Sequence, residues 1–178
     1  MNKKLIFFDG DGTLWYPKAT KRTKKSHWIY NDPTTMDNYL DHLELTPGTK
    51  QALEVLKSRG MHLVVISANP YDQEVALADI NERIVHFGLT DLFHSYYASR
   101  GDDPSGKSAI MLSVIEDLGF SKSEALMVGD NFFYDYLAAK NIGVDAYFID
   151  NTISAMPEVA PIDFETIREI EDLLKILK

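Results

Sequence analysis

The chain has 178 residues, of which 45% are hydrophobic and 25% charged, a composition typical of one globular domain spanning residues 1–178 and not of a disordered chain. Its 27 acidic residues outnumber the 18 basic ones, and the resulting net charge of −9 disfavours a nucleic-acid partner. Cysteine is absent, which excludes disulfides, thiolate catalysis and thiolate metal sites. No apolar run approaches the roughly 20 residues that cross a bilayer, so we expect a cytoplasmic protein with no membrane partner.

Short apolar runs predict buried strands of a parallel sheet, because uninterrupted apolar segments suit strands that are covered on both faces. These runs are Leu5–Phe8, Leu63–Ile66, Leu126–Val128 and Tyr147–Ile149. Strands alternating with helices predict a doubly wound, Rossmann-like α/β domain with three α/β/α layers. In such a domain the ligand sits beyond the carboxyl ends of the strands.

Helical patterns fill the segments between these runs. In chain order we expect helices from a Thr46 N-cap with Pro47 in the first turn to Gly60, from about 71 to 87, from Lys107 to about 119, from about 132 to 141, and from about Asp163 to Leu177. The last segment has an apolar stripe made of Phe164, Ile167, Ile170, Leu173, Leu174 and Leu177. That stripe predicts one continuous helix packed on the sheet.

The first strand runs directly into Asp-Gly-Asp-Gly-Thr at residues 9–13. Side chains two residues apart in an extended segment point the same way, so Asp9 and Asp11 can converge while the glycines permit tight backbone geometry. Converging carboxylates repel unless a cation lies between them or one carries a proton. Both conditions suit phosphoryl transfer, with one acid as nucleophile beside magnesium and the other as proton donor. A simple Asp-Gly turn that closes the strand is the alternative.

Polar residues at later strand ends extend this pattern. Ser67 ends the second strand. Its hydroxyl and the backbone N–H groups that follow it can form a phosphate-binding site. A serine in this position is more often a helix cap. Asp130 follows a later strand, where its carboxylate can meet Asp9 and Asp11 and supply a third oxygen for magnesium. Asp135 falls in the next helical turns, where the helix dipole also favours an acid.

Taken in order, these residues resemble the motifs of the haloacid dehalogenase superfamily of phosphohydrolases: residues 9–13, Ser67, Lys107, and Asp130 with Asp135. The resemblance implies that Asp9 is the nucleophile, forming an aspartyl-phosphate. It also implies that Asp11 protonates the leaving group and then deprotonates the attacking water. The residues implied to bind the substrate phosphate are Thr13, Ser67, Ala68, Asn69 and Lys107. The implied magnesium ligands are Asp9, the Asp11 carbonyl and Asp130, with Asp135 assisting from outside the ligand set.

No stretch long enough for a cap domain interrupts the chain. Lys107 follows Ser67 by 40 positions, and one helix and a strand account for that stretch. The segment after the first motif leaves only a flap at about 15–45. This resembles the capless branch of the superfamily, whose magnesium-dependent phosphatases act on phosphotyrosine or sugar phosphates. One departure is the sequence Ser67-Ala68-Asn69-Pro70, where that branch would carry a basic or second hydroxyl residue.

The flap carries a basic cluster close to the nucleophile in sequence. The cluster consists of Lys18, Lys21, Arg22, Lys24 and Lys25. These residues predict a substrate entrance that steers an anion into an acidic site. A solvated loop is the alternative.

Together these features predict a Mg²⁺-dependent phosphomonoester hydrolase that acts on a phosphorylated small molecule or a phosphotyrosine-containing phosphoprotein, as a monomer or weak homo-oligomer. The alternative is a non-enzymatic, Mg²⁺-dependent phospho-acceptor or phosphate-binding module. Response-regulator receivers, the model for such an acceptor, carry an adjacent acid pair at the first strand and a mid-chain acceptor aspartate. The chain shows neither feature, which favours the hydrolase.

Overall fold

The computed structural model describes residues 2–24, 27–100, 104–151, 154, 156 and 164–177, and a parallel sheet with helices on both faces forms its centre. In chain order the elements are β1 (Leu5–Phe8), β2 (Trp15–Pro17), α1 (His27–Asn31), β3 (Leu43–Leu45), α2 (Thr49–Ser58), β4 (His62–Asn69), α3 (Gln73–His86), β5 (Ser95–Arg100), α4 (Pro104–Asp117), β6 (Ala125–Gly129), α5 (Ala138–Asn141), β7 (Asp145–Ile149), β8 (Thr166–Ile167) and α6 (Leu173–Ile176). The six-stranded sheet has the order β5-β4-β1-β6-β7-β8. All its neighbouring strands pair in parallel.

The strand order reverses beside β1, because the chain adds β4 and β5 on one side and then returns to add β6, β7 and β8 on the other. The predicted doubly wound α/β domain is therefore confirmed. A reversal of this kind opens a crevice at the carboxyl ends of the central strands. The first motif follows β1 directly, so it lies at that crevice.

The apolar run of β1 serves both faces of the sheet. Ile6 and Phe8 pack in the cluster that includes residues of α2, α3 and α6, whereas Leu5 and Phe7 pack in the cluster that includes residues of α4 and α5. All four side chains are fully buried. An uninterrupted apolar run is required because successive side chains of a strand point to opposite faces, and both faces are covered.

The C-terminal segment is not the single helix that its apolar stripe predicts. Thr166–Ile167 form the edge strand β8, which pairs with β7, and a 3₁₀ turn at Ile170–Asp172 precedes the short helix α6. Phe164 packs in the cluster on one face of the sheet and Ile167 in the cluster on the other. Extended backbone places them on opposite faces, whereas a helix would place them on one stripe. Asp163, the predicted helix start, lies outside the described residues.

The predicted N-cap at Thr46 is also wrong. Helix α2 begins at Thr49, and its N-cap is Gly48, whose φ of 72° is in the left-handed region. The Thr46 hydroxyl instead donates a hydrogen bond to the carbonyl of Thr13 at 2.7 Å. Thr46 is buried, and its hydrogen bond connects the residues that precede α2 to the first motif.

The segment 15–45 forms an antiparallel stem of β2 and β3, with α1 and short 3₁₀ turns between them. Between β4 and α4 the structure describes only α3 and β5, apart from connecting residues. The capless branch and the role of the flap stay predictions. None of the helices in the described ranges has both the length and the apolarity needed to cross a bilayer.

Candidate active site

Asp9 lies at the carboxyl end of β1, where the sheet holds its backbone and a threonine holds its side chain. Its backbone N–H donates to the carbonyl of Val128 at 2.9 Å, which continues the pairing of β1 with β6. The Thr13 hydroxyl lies 3.3 Å from Asp9 Oδ2, to which it donates. Thr13 is fully buried behind Asp9, so the structure places its hydroxyl against the carboxylate.

Lys107 reaches from α4 into the acidic site and contacts two carboxylates. Its Nζ lies 2.5 Å from Asp9 Oδ1 and 2.6 Å from Asp135 Oδ1. Burial on its own lowers the pKa of Lys107, but the Asp135 and Asp9 carboxylates outweigh that effect and raise the pKa above its ordinary value. Lys107 is therefore a fixed positive charge beside Asp9.

Asp135 points inward because the backbone around it is π-helical. The helix predicted from about 132 to 141 is confirmed in its extent, but Phe132–Leu137 form this wider π-helical part and only Ala138–Asn141 are α-helical. Such turns are frequent at functional sites because they redirect side chains. A Cβ on Gly129 would lie 2.2 Å from Asp135 Oδ2, so only glycine leaves room for this carboxylate. Burial raises the pKa of Asp135 to about 6, although Lys107 opposes that rise.

Three carboxylates converge beside the first motif and could hold a divalent cation. Asp9, Asp130 and Asp135 are all buried, and each offers an oxygen within 4.8 Å of the others. Gly12 permits this approach, because its φ is 90° and a Cβ there would lie 2.4 Å from Asp130 Oδ2. Hard cations such as Mg²⁺ prefer carboxylate oxygens, so the donor set fits such an ion.

The Asp11 carboxyl accepts hydrogen bonds from two aromatic side chains. Trp15 Nε1 lies 2.7 Å from Asp11 Oδ1, and the Tyr30 hydroxyl of α1 lies 2.8 Å from the same oxygen. Both bonds use Oδ1, so they fix the carboxyl group and leave Oδ2 for other partners. Tyr30 thereby links the segment 15–45 to the acid predicted to transfer protons.

A cavity of about 250 Å³ opens above these groups. Of the predicted site residues, its wall contains Asp9, Asp11, Ser67, Ala68, Asn69, Lys107 and Asp130. Strand β4 continues through Ser67 to Asn69 because β5 supplies pairing partners for these residues. A Cβ on Gly10 would lie 2.9 Å from Ser67 Oγ, so Gly10 lets this hydroxyl approach the first motif closely.

The described lysines of the flap do not line this cavity. Lys18 instead donates to the carbonyl of Asp41 at 2.8 Å, and Lys21 and Lys24 are exposed. The side chain of Arg22 and all of Lys25 lie outside the described residues. Steering of an anion by these charges stays a prediction.

Sequence reasoning missed several residues of the cavity wall. Asn131 caps the π-helical turn, its side chain accepting from the backbone N–H groups of Phe133 and Tyr134. Arg83 is buried on α3 beside Ala76, Ile80 and Ile84. The sequence signal that could have identified Arg83 is its position, because a charged residue lies there among the apolar residues of one helix face.

The comparison with protein families decides the family. The haloacid dehalogenase-like hydrolase family matches residues 18–143. The chain belongs to this family. The resemblance to haloacid dehalogenases is thereby confirmed, and the site described above lies in a haloacid dehalogenase-like hydrolase.

Curated relatives of this hydrolase are similar over part of their length. "Putative pyrophosphatase PpaX" of Clostridium perfringens is 36% identical over 91 residues, which are 51% of this chain and 40% of that protein. The ribulose-1,5-bisphosphate 5-phosphatase of Halopiger xanaduensis is 25% identical over 113 residues, 63% of this chain and 45% of that protein. The chain thus spans less than half the length of these two relatives.

A solved structure shows the same fold over nearly all of this chain. An uncharacterized protein from Listeria monocytogenes serotype 4b superposes with a TM-score of 0.72 at 24% identity. The match covers 98% of this chain and 96% of that one. At this identity the likeness shows the fold alone.

Proposed function

We propose that this hydrolase is a Mg²⁺-dependent phosphomonoesterase that forms an aspartyl-phosphate on Asp9. The observation that carries the proposal is the convergence of Lys107 and the buried carboxylates on Asp9, at the floor of a cavity. A phosphoryl group bears several negative oxygens, and a fixed lysine with a cation site beside a carboxylate nucleophile matches that charge. The names of the two curated relatives also describe enzymes that cleave phosphoryl bonds.

Asp9 begins the reaction as a nucleophile. Its carboxylate oxygen attacks phosphorus as the bond from phosphorus to the ester oxygen breaks, and the phosphoryl group becomes attached to Asp9. Lys107 and the Ser67 hydroxyl contact the equatorial phosphoryl oxygens and offset their charge. Bound by the Asp9 and Asp130 carboxylates, with Asp135 beside them, Mg²⁺ would add further positive charge to neutralise the transferring group.

Asp11 acts first as the general acid and then as the general base. It gives its proton to the ester oxygen as that oxygen leaves, since an alkoxide is a poor leaving group. The resulting carboxylate then takes a proton from the water that attacks phosphorus in the aspartyl-phosphate. This second step releases inorganic phosphate and restores both Asp9 and the protonated Asp11. The bonds from Trp15 and Tyr30 hold the Asp11 carboxyl in place through both transfers.

Removing divalent cations is expected to abolish hydrolysis of 4-nitrophenyl phosphate. The carboxylates of Asp9, Asp130 and Asp135 then lack the cation that offsets their repulsion of an anionic substrate. The measurement is release of 4-nitrophenol after treatment with EDTA, followed by titration with MgCl₂ in excess of the chelator. Activity should return with Mg²⁺, and CaCl₂ serves as the comparison because Ca²⁺ takes larger and less regular coordination. Turnover unaffected by EDTA would contradict the metal dependence.

Asp11→Asn is expected to slow hydrolysis of alkyl phosphates more than that of 2,4-dinitrophenyl phosphate. An alkoxide needs a proton to leave, whereas dinitrophenolate does not, so the difference isolates general acid catalysis. We expect the rate constant for phosphoenzyme formation to fall about 100-fold more with the alkyl ester, within the range of general acid effects. The measurement is formation of the phosphoenzyme in single-turnover experiments, because water attack on the aspartyl-phosphate also uses Asp11. Equal losses on the two esters would contradict the acid role.

A further inference from the structure

Arg83 is a buried cation that the proposed chemistry does not use. It lies on α3 with 5% of its surface exposed. Its guanidinium carbon is 4.7 Å from the centre of the Tyr30 ring and 5.0 Å from that of Tyr39. Two aromatic faces attract a cation, but they carry no net charge to neutralise it.

The charge of Arg83 has no acidic partner in contact. Among the ion pairs of the described residues, none joins Arg83 to a carboxylate within 4.0 Å. The guanidinium hydrogen-bonds to the Tyr30 side chain, but its buried Nε has no hydrogen-bond partner among the described residues. Burial lowers the pKa of Arg83, but Tyr30 and Asp11 outweigh that effect and raise it, so the guanidinium stays charged. A buried cation without a counter-ion costs free energy that a bound anion would offset.

Arg83 lines the same cavity as Asp9 and Lys107. Asp79, one helical turn earlier, is also in the wall, and its Oδ2 lies 3.4 Å from the Asn69 side-chain nitrogen that donates to it. At about 250 Å³ the cavity has room for a small ester. A group attached to a phosphate bound next to Asp9 and Lys107 therefore shares one cavity with the Arg83 guanidinium, which has no carboxylate in contact.

We propose that Arg83 binds a second anionic oxygen group, a carboxylate or a phosphate, carried by the leaving group of the substrate. This inference rests on the proposed phosphomonoesterase function and specifies its substrate class: phosphate esters of small hydroxy acids, or small bisphosphates. Arg83 forms no covalent bond in this role. Its planar guanidinium suits either group, because both present paired oxygens to its N–H donors.

The test compares matched esters that differ in one charge. The first pair is 2-phosphoglycolate and its uncharged amide, 2-phosphoglycolamide. The second pair is 1,2-ethanediol bisphosphate and 2-methoxyethyl phosphate.

For each pair the measured quantity is the ratio of kcat/KM for the ester with the second anionic group to kcat/KM for the ester without it. Wild type is expected to give a ratio of about 10 to 100 in at least one pair, the effect of a charged hydrogen bond. The pair that shows it identifies carboxylate or phosphate as the second group.

Arg83→Gln is expected to reduce that ratio to about one, and Arg83→Lys to an intermediate value, since lysine keeps the charge without the planar donors. If the glutamine variant does not fold, the lysine variant still reports the change in ratio. The matched control is Arg168→Gln, which removes an exposed arginine outside the cavity and should leave the ratio unchanged.

Two results would overturn the assignment. A wild-type ratio near one in both pairs shows that no second anion is recognised. An equal loss on both members of each pair in the Arg83 variants shows that Arg83 acts by holding Tyr30 against Asp11 instead. Hydrolysis of 4-nitrophenyl phosphate by wild type separates these results from failure of the proposed function. No turnover of any ester would contradict the function and the inference together.

Discussion

Asp9→Asn is expected to lower kcat for 4-nitrophenyl phosphate by at least about 10⁴-fold, the scale of effect seen when a covalent nucleophile is lost. The amide has nearly the same shape as the carboxylate but is a far weaker nucleophile, so binding should survive while chemistry stops. The variant should also fail to form an acid-stable phosphoenzyme. The measurement is rapid acid quenching with a ³²P-labelled substrate, followed by location of the label on the chain.

The control for this experiment is Asp117→Asn, which changes an exposed acid on α4 and should retain turnover. An asparagine before Gly10 is prone to deamidation, which would regenerate aspartate. Asp9→Ala should therefore be measured alongside, and its activity should be no higher. Turnover within tenfold of wild type in Asp9→Ala, or a label on another residue, would contradict Asp9 as the nucleophile.

Lys107→Met is expected to reduce both activity and stability. The variant lacks the cation beside Asp9, so we expect kcat to fall by about 10³-fold, as when a preorganised donor to the transition state is removed. It also leaves the Asp9 and Asp135 carboxylates buried without their shared partner. Breaking a buried ion pair from one side costs about 3 kcal/mol or more, measured here as the loss in free energy of unfolding by urea in EDTA.

The stability loss in Lys107→Met should depend on pH with a defined sign. Burial raises the pKa of Asp135 from 3.8 to about 6 in the wild type, and Lys107 opposes that rise, so the variant's pKa should be higher still. An acid whose folded pKa exceeds its unfolded value destabilises the fold as pH rises between the two values. The difference in unfolding free energy between wild type and variant should therefore be larger at pH 8 than at pH 5.

Lys50→Met is the matched control, because Lys50 is an exposed lysine on α2. It should change neither kcat nor the pH dependence of unfolding. A stability difference between wild type and Lys107→Met that is the same at pH 5 and pH 8 would contradict coupling of Lys107 to Asp135. Unchanged turnover in that variant would contradict its contact with the phosphoryl group.

Several site residues could be predicted because they lie at strand ends. The apolar run of β1 fixes the position of Asp9, and the run of β6 does the same for Asp130. Parallel strands carry their carboxyl ends to one edge of the sheet, so residues distant in sequence meet there without further information. Lys107 was placed by the order of the motifs, and its Nζ reaches Asp9, 98 residues away.

Other features could not be predicted because they depend on partners far along the chain. The stripe at the C-terminus suits a helix, but β7 offers an edge to pair with, and β8 forms instead. Thr46 has the residue type of a helix cap, yet its hydroxyl bonds to the Thr13 carbonyl. In both cases a tertiary contact outweighed a local preference.

By itself the sequence determined the layers of the fold and the acids at its strand ends, because both follow from local apolar runs and the geometry of parallel strands. Only the tertiary structure decided that Tyr30 donates to Asp11 and that Arg83 lies in the cavity wall with no carboxylate in contact. Those contacts join α1 and α3 to the first motif. The packing of separate elements sets them, and no local pattern encodes that packing.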